Sequence, residues 1–210
     1  APPGTLRLDG TDIARLSPDA RRARGLLTAP EERLGHAAAP AMSLTENALV
    51  TGETRQDLTR RGFIRWARAR TFTERIIKTF DVRTPGPDTA AGALSGGNLQ
   101  KFVIGREILQ SPTVFAVNQP TWGVDAAAAA AIRQAILDLA EQGAGVIVIS
   151  QDLDELMDIS DHFTALNEGH LAPIRPAAGL TIEEVGMMMG GAHDMRDAAP
   201  APPAPAEAAP

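Results

Sequence analysis

Two short runs of apolar, largely β-branched residues constrain the fold of this chain more than any other feature. Thr113 to Val117 and Val146 to Ile149 have the length and composition of buried strands. Between them, an alanine-rich stretch from about Ala126 to Gln142 carries its larger apolar residues at helical spacing. A strand, a helix and a second strand in this order predict a right-handed parallel crossover. We therefore expect an α/β fold with a parallel sheet, with both strands buried on their two faces.

Shorter patterns predict further elements. Ser43 and Glu46 stand in capping-box register at the start of a helix. Between Phe63 and Phe80, apolar residues recur every three or four positions, which predicts one buried helical face: Trp66, Ala69, Phe72, Ile76 and Phe80. Strand or hairpin patterns occupy three more segments: Leu6 to Asp9, Gly25 to Ala29, and 163–171.

The composition excludes several classes of protein and site. None of the 210 residues is cysteine, which excludes disulfides and thiolate metal sites. The four histidines have no metal-ligand spacing, so no metal site is expected: His36, His162, His170 and His193. No apolar run approaches the roughly 18 residues of a membrane span. The formal net charge of −6 argues against a general nucleic-acid binder.

The segment from Leu94 to Lys101 reads Leu-Ser-Gly-Gly-Asn-Leu-Gln-Lys and predicts an anion site at a helix start. Gly96 and Gly97 carry no side chain, so the main chain there can approach a ligand closely. The first N–H groups of a helix have no intrahelical acceptor, and the helix dipole favours negative charge beside them. Taken alone, such a turn is more often only a helix cap.

An ordered set of landmarks resembles the nucleotide-binding domain of ABC transporters. The set comprises the turn at 94–98, Asn118-Gln119-Pro120-Thr121 after the first strand, the turn Gly123-Val124-Asp125, Ser150-Gln151 after the second strand, and the closing segment 184–191. The similarity is greatest to the C-terminal half of tandem ATPases that serve simple-sugar and nucleoside importers, whose signature also reads Leu-Ser-Gly-Gly-Asn. The resemblance covers about residues 4–191 and implies a P-loop NTPase-like ABC ATPase fold, a parallel sheet core with an inserted α-helical subdomain.

The resemblance also predicts how the chain is organised. Residues 1–42 are expected to be the remnant of an N-terminal ATPase core, with a Q-loop-like segment at Glu31. Residues 43–93 are expected to form the α-helical signature subdomain, and 94–191 the signature helix with a RecA-like core. Residues 192–210 are almost entirely alanine and proline from position 197 onwards, which predicts a disordered tail.

The chain departs from the family pattern first by an absence. No run of the type G-x-x-x-x-G-K-[ST] occurs, and the only two lysines, Lys78 and Lys101, lie outside any such context. In the family that phosphate loop precedes the region matching Leu6, so the chain is expected to be truncated N-terminally. Without the loop, most groups that bind the β- and γ-phosphates are missing. The isolated chain is therefore predicted to be inactive as an ATPase.

Further departures affect the positions that the family uses for magnesium and the attacking water. Asn118 and Gln119 stand where the family has Asp-Glu, Gln151 where it has a histidine, and Glu31 where it has a glutamine. Neutral amides bring no negative charge to Mg²⁺ and cannot serve as a general base. No intact catalytic residue is therefore expected on this half. The alternative is that each change is tolerated variation within the subgroup.

In this family two halves sandwich two ATP molecules head to tail, so each site takes its signature from the opposite half. The resemblance then implies that this chain completes a partner half's site, with ATP and Mg²⁺ bound mainly by that partner. The residues expected there are Ser95, Gly96, Gly97, Asn98 and Gln100. Asp125 and Trp122 are expected at the dimer junction. Two simpler roles remain open, namely a helix N-cap for Asp125 and burial within its own domain for Trp122.

The implied function is that of an ATPase subunit portion of an importer for simple sugars or nucleosides, at the cytoplasmic face of the bacterial inner membrane. The implied partners are a second nucleotide-binding half, transmembrane permease subunits and a periplasmic or lipoprotein substrate-binding protein, without nucleic acid. From Arg55 to Arg75 the sequence contains seven arginines but only two acidic residues, Asp57 and Glu74. This run fits a solvated helix face or a surface towards the membrane partner and its anionic leaflet. The alternative function is a non-catalytic regulatory or structural module.

Overall fold

The structure, a computed structural model, describes residues 2–191 and divides into two compact units, one ending at Asp152 and the other beginning at Leu153. The helices of the first unit are α1 (Pro18–Ala23), α2 (Leu44–Gly52), α3 (Trp66–Thr79), α4 (Gly96–Ile108) and α5 (Ala126–Glu141). Its strands are β1 (Arg7–Leu8), β2 (Thr11–Asp12), β3 (Leu26–Ala29), β4 (Thr59–Arg60), β5 (Phe63–Ile64), β6 (Val114–Asn118) and β7 (Gly145–Ile149).

A three-stranded parallel sheet in the order β3-β6-β7 forms the centre of the first unit. The predicted parallel pairing across the alanine-rich helix is confirmed, since Val117 of β6 pairs with Val148 of β7. Helix α5 packs against β7 with a buried apolar stripe formed by Ile132, Ile136 and Leu139. The strand expected at Gly25 to Ala29 is confirmed as β3.

The expectation that both strands are buried on two faces is wrong. Phe115 and Val117 of β6 are buried, but Ile147 and Ile149 of β7 are each 55% exposed. Successive strand residues point to opposite faces of a sheet, so these two isoleucines share one face. Strand β7 lies at the edge of the described sheet, and its Ile147 and Ile149 face is left open to solvent.

Helices α2, α3 and α4 pack together on one another. The predicted face of α3 is confirmed at Ala69, Phe72 and Ile76, which are buried, but is wrong at Trp66, which is 52% exposed. The helix starts at Trp66 rather than near Phe63, because β4 and β5 form a hairpin just before it. Its two-residue turn, Arg61–Gly62, has positive φ at both positions (53° and 82°), the geometry typical of tight hairpins.

A buried ionic cluster holds the middle of α4 in place. Glu107 has no exposed surface, and its carboxylate accepts from Arg22 Nη2 at 2.6 Å and from Arg106 Nε at 2.8 Å. Arg106 is also buried and donates to the carbonyl oxygens of Ala37 and Asn47. These bonds join α4 to α1, to α2 and to the loop after β3.

The second unit contains α6 (Leu153–Ile159), β8 (His162–Phe163), β9 (Leu166–Asn167), β10 (His170–Leu171), β11 (Arg175–Pro176) and α7 (Ile182–Met189). The predicted terminal hairpin is confirmed at its turn and second strand by the antiparallel pair β9-β10, which turns at Glu168–Gly169. Phe163, expected in its first strand, lies instead in β8 and pairs with Arg175 of β11. Helix α7 starts with a capping box formed by Thr181 and Glu184. The core of this unit is formed by Phe163, Ala165, Ala172, Leu180, Val185 and Met188.

The predicted division into four segments stays a prediction. Its proposed tail at 192–210, which includes His193, lies outside the described residues.

Across residues 2–191, every helix is too short or too polar to cross a lipid bilayer.

Candidate functional site

The N-terminus of α4 presents a group of free backbone donors. Ser95 is the N-cap residue, with extended φ and ψ of −63° and 153°, but its side chain makes no capping bond. Among the described residues, no acceptor meets the amides of Gly96, Gly97 or Asn98. Ser95 and Gly96 are exposed, so these donors are accessible from solvent. Uncapped amides at the positive end of a 13-residue helix are chemically suited to an anion.

The Ser95 hydroxyl is oriented by Asn98. The Asn98 Nδ2 donates to Ser95 Oγ at 2.9 Å, and Asn98 Oδ1 accepts from the Arg83 amide at 2.8 Å. Because the hydroxyl oxygen already accepts a hydrogen bond here, its own hydrogen remains available for a ligand. Asn98 thus acts within the chain as an orienting residue. Its predicted direct contact with a nucleotide stays a prediction.

Arg33 joins three segments at this site, a role that the sequence did not predict. Its Nε donates to Gln100 Oε1 at 2.8 Å, its Nη1 donates to the Gly96 carbonyl at 3.4 Å, and its Nη2 donates to the Trp122 carbonyl. Gln100 is only 2% exposed and donates in turn to the Pro120 carbonyl at 2.7 Å. The loop after β3, helix α4 and the turn after β6 are therefore held by one side chain.

Of the two glycines of the signature turn, only Gly96 is closely approached by another part of the chain. A Cβ atom at Gly96 would lie 3.1 Å from Arg33 Nη1, and one at Gly97 would lie 3.8 Å from Val124. Gly123, which has a φ of 64°, would place a Cβ 3.6 Å from the same guanidinium. A side chain at Gly96 would therefore require the Arg33 guanidinium to shift by a few tenths of an ångström. The predicted approach of a ligand to Gly96 and Gly97 stays a prediction.

An open cleft of about 680 Å³ brings together three of the residues predicted from the sequence: Glu31, Gly96 and Trp122. Arg33, Leu34, Leu94 and Leu99 also line it. Trp122 is 65% exposed, so the alternative that it is buried within its own domain is wrong. Its predicted place at a dimer junction stays a prediction.

Asp125 is the N-cap of α5, as the simpler of its two predicted roles requires. Its Oδ1 accepts from the Ala128 amide at 2.9 Å. This bond is the largest cause of a lowered pKa at Asp125, and the positive charges of Lys101 and Arg83 lower the pKa further. The capping role does not exclude a contact across a dimer junction, which stays a prediction.

The end of β6 carries neutral amides in a constrained backbone. Gln119 is 7% exposed, has a φ of 51°, and donates its amide to the Ile149 carbonyl at 2.8 Å. Its side-chain Oε1 accepts a long hydrogen bond from Ser150 Oγ at 3.5 Å, whereas Gln151 is exposed. Asn118 adds only a second amide.

The side chains of Asn118 and Gln119 offer Mg²⁺ no charged ligand and provide no proton-abstracting base. Amide side chains carry no charge and take up no proton at neutral pH. Residues 2–191 also contain no cluster of three or more His, Cys, Asp or Glu side chains that could hold a metal ion.

Comparison with known proteins found similar sequences among import ATP-binding proteins. A glucose import ATP-binding protein of Haloferax volcanii is 37% identical over 194 residues, covering 91% of this chain and 35% of that protein. A ribose import ATP-binding protein of Rhizobium johnstonii is 36% identical, covering 86% and 35%, respectively. A guanosine import ATP-binding protein of Bacillus subtilis is 32% identical, covering 90% and 37%. The chain thus spans just over a third of the length of these curated relatives. No protein-family model matches it.

Solved structures show the same fold. A dimeric ATP-binding cassette in a post-hydrolysis state, bound to ADP and Pi, superimposes with a TM-score of 0.66 at 19% identity, covering 82% of this chain and 73% of the cassette. The ADP conformation of an ATP-binding cassette of an ABC transporter gives a TM-score of 0.59 at 20% identity, covering 87% and 71%, respectively.

Proposed function

We propose that this chain is the signature-bearing part of an importer's ATPase subunit. The premise is that the chain is a homologue of sugar and nucleoside import ATP-binding proteins and has the ATP-binding cassette fold. The observation that carries this proposal is the start of α4. Three amides without acceptors lie there beside the oriented hydroxyl of Ser95. Such a set of donors fits the oxygens of a terminal phosphate.

The nucleotide that these donors meet is held mainly by another cassette half. One feature of this chain supports that assignment. The end of β6 offers Asn118 and Gln119 in place of charged groups. The amides of Gly96 and Gly97, together with the Ser95 hydroxyl, then complete a site whose Mg²⁺ and general base come from the partner half.

In this arrangement the chain contributes to phosphoryl transfer by fixing donors before the reaction begins. ATP supplies the transferable phosphoryl group. Asn98 holds the Ser95 hydroxyl, and Arg33 holds the start of α4 against the turn at 120–124. Donors that are already oriented stabilise developing negative charge without a cost of reorganisation. Asp125 and Trp122 line the proposed junction between halves.

The remaining partners and the location belong to the same proposal. The importer carries a simple sugar or a nucleoside, and its permease subunits lie in the bacterial inner membrane. This chain binds them from the cytoplasmic side, and a periplasmic or lipoprotein binding protein delivers the cargo. The helical region 43–93 passes the motion of the closing halves to the permease.

The first test replaces Ser95 in the intact importer complex that contains this chain. Ser95→Arg is expected to lower ATP turnover by about 10²-fold or more, because it removes a positioned donor and places a bulky cation at the phosphate site. Phosphate release is the measurement. Ala130→Arg is the matched control, since Ala130 is exposed on α5 and lines no cleft. Unchanged turnover in Ser95→Arg would mean that the signature does not act in trans.

A second measurement separates this proposal from a non-catalytic module. Taken alone, the neutral amides of Asn118 and Gln119 favour that alternative, since neither side chain can act as a general base. Purified residues 1–210 are expected to release no phosphate above background. If ATP also fails to promote association of this chain with an intact cassette half, the module is the better function. Magnesium-dependent turnover by the isolated chain contradicts the degenerate local site.

A further inference from the structure

The hairpin β4-β5 presents a small surface that the proposed nucleotide function does not use. Arg60 pairs with Phe63 across the two strands, so their side chains are neighbours on one face. The turn between them consists of Arg61 and Gly62, both in the left-handed region of φ. That conformation is uncommon for arginine. The chain nevertheless places a long cationic side chain, that of Arg61, in the turn itself.

Three large apolar side chains flank this turn and are exposed. Phe63 is 78% exposed, Trp66 is 52% exposed and Ile64 is 43% exposed. Phe63 lies on the same face of the hairpin as Arg60, Ile64 lies on the opposite face, and Trp66 begins α3 two residues later. We call these five residues around the hairpin, Arg60, Arg61, Phe63, Ile64 and Trp66, the hairpin patch. Exposed apolar side chains beside unpaired cations suit a surface that meets a partner.

The arginines of the hairpin patch differ from the others in the basic run 55–75. Five of the seven are occupied by carboxylates or backbone carbonyls: Arg65 and Arg68 by Asp57, Arg70 by Glu74 and Asp88, Arg55 by Gln110 and Ser111, and Arg75 by Leu109. The side chains of Arg60 and Arg61 make no hydrogen bond or ion pair with the described part of the chain. Their guanidinium groups are exposed and free to bind an anion.

We infer that the hairpin patch binds the surface of an anionic lipid membrane. Guanidinium groups pair with lipid phosphates, and Trp and Phe side chains prefer the boundary between headgroups and acyl chains. The patch surrounds a two-residue hairpin turn, and a hairpin can enter a headgroup layer without a preformed groove. Elsewhere the chain carries net negative charge, which an anionic surface repels. The two free arginines thus orient the molecule with the hairpin towards the lipid.

The test uses the fluorescence of Trp66 in a Trp122→Phe variant, which leaves Trp66 as the only tryptophan. Vesicles of phosphatidylcholine alone are compared with vesicles that also contain phosphatidylglycerol. The expected result is a blue shift of Trp66 emission and co-sedimentation with the anionic vesicles alone, both weakened by salt. Arg60→Ser combined with Arg61→Ser is expected to weaken binding about 30-fold.

The control variant carries Arg7→Ser and Arg15→Ser, which remove the same charge from two exposed positions outside the hairpin. It is expected to bind anionic vesicles like the parent. The inference is overturned by equal binding to neutral vesicles, by equal loss in the two double variants, or by co-sedimentation without a blue shift. A short single-stranded RNA that shifts Trp66 emission while the anionic vesicles do not would assign the patch to nucleic acid instead. No nucleotide is present, so this result is independent of the proposed ATPase function.

Discussion

Arg33 is the residue that most determines the geometry of the candidate site. All its described acceptors are neutral, two of them backbone carbonyls and one the amide of Gln100. Partial burial lowers the pKa of Arg33, because removal from water disfavours the charged form. Arginine stays charged under these conditions, since its ordinary pKa is far above neutral. Its planar fork can reach three acceptors at once, which the single ammonium of lysine cannot do.

Arg33→Ala is expected to destabilise the fold by about 1–3 kcal/mol, because buried Gln100 loses the partner of its Oε1. Amides at 96–100 and 121–124 should also exchange faster with solvent. Urea denaturation and hydrogen exchange measure the two effects. Arg15→Ala, at an exposed position, is the control and should change stability by less than about 0.5 kcal/mol. Equal effects of the two substitutions would show that the hydrogen bonds of Arg33 do not stabilise the fold.

At the scale of elements, the contact of α3 with α4 depends on a glycine. A Cβ at Gly105 of α4 would lie 2.4 Å from Cδ2 of Phe80, which caps the C-terminus of α3. No side chain fits at that distance unless the phenyl ring moves. The close approach brings Asp81–Arg83 near the start of α4, where the Arg83 amide meets Asn98. A packing detail between two helices therefore supports the orientation of Ser95.

Gly105→Ala is expected to destabilise the protein by about 1–3 kcal/mol through overpacking, although alanine by itself favours a helix. Gly86→Ala provides the control, because a Cβ there meets nothing within 4 Å. Thermal unfolding is the measurement. Adding Phe80→Leu to Gly105→Ala should restore part of the loss. If Gly105→Ala is as stable as the parent, the close contact of the two helices does not determine the stability of the protein.

At the scale of the whole molecule, the chain consists of two units that each have a core. The second unit, which begins at Leu153, is small, and six buried apolar residues form the main cluster of its described core. Met188 on α7 is 2% exposed, while the adjacent Met187 is 41% exposed. These neighbours differ in burial but not in chemistry. They allow the contribution of this core to be measured directly.

Met188→Ala is expected to lower the stability of the second unit by about 2–4 kcal/mol, because it removes a buried side chain and leaves a cavity. Met187→Ala should have little effect. Hydrogen exchange at the amides of Val185 and Ala172 reports on this unit, since both amides are bonded within it. Similar losses of protection in the two variants would contradict the assigned core.

Interactions between residues that are close in the sequence could be predicted, whereas interactions between residues far apart in the sequence could not. The capping box of Ser43 with Glu46 and the N-cap at Asp125 were predicted and are confirmed, since each involves residues three positions apart. The hairpin before α3 was missed, because its strands have two residues each and the helical pattern that began at Phe63 included β5. Arg33 was missed for a different reason. Its partners lie 67 and 89 positions away, and the only local signal was its place in the loop after a predicted strand.

The sequence by itself determined the α/β class, the parallel pair of strands and the helix start at Ser95. These features follow from apolar periodicity, turn residues and capping side chains, all of which act over a few positions. Tertiary structure alone decided that Ile147 and Ile149 stay exposed, that Trp122 opens onto a cleft and that Arg33 holds the signature turn. Burial and hydrogen bonding between distant segments depend on which elements meet in space. No short stretch of sequence contains that information.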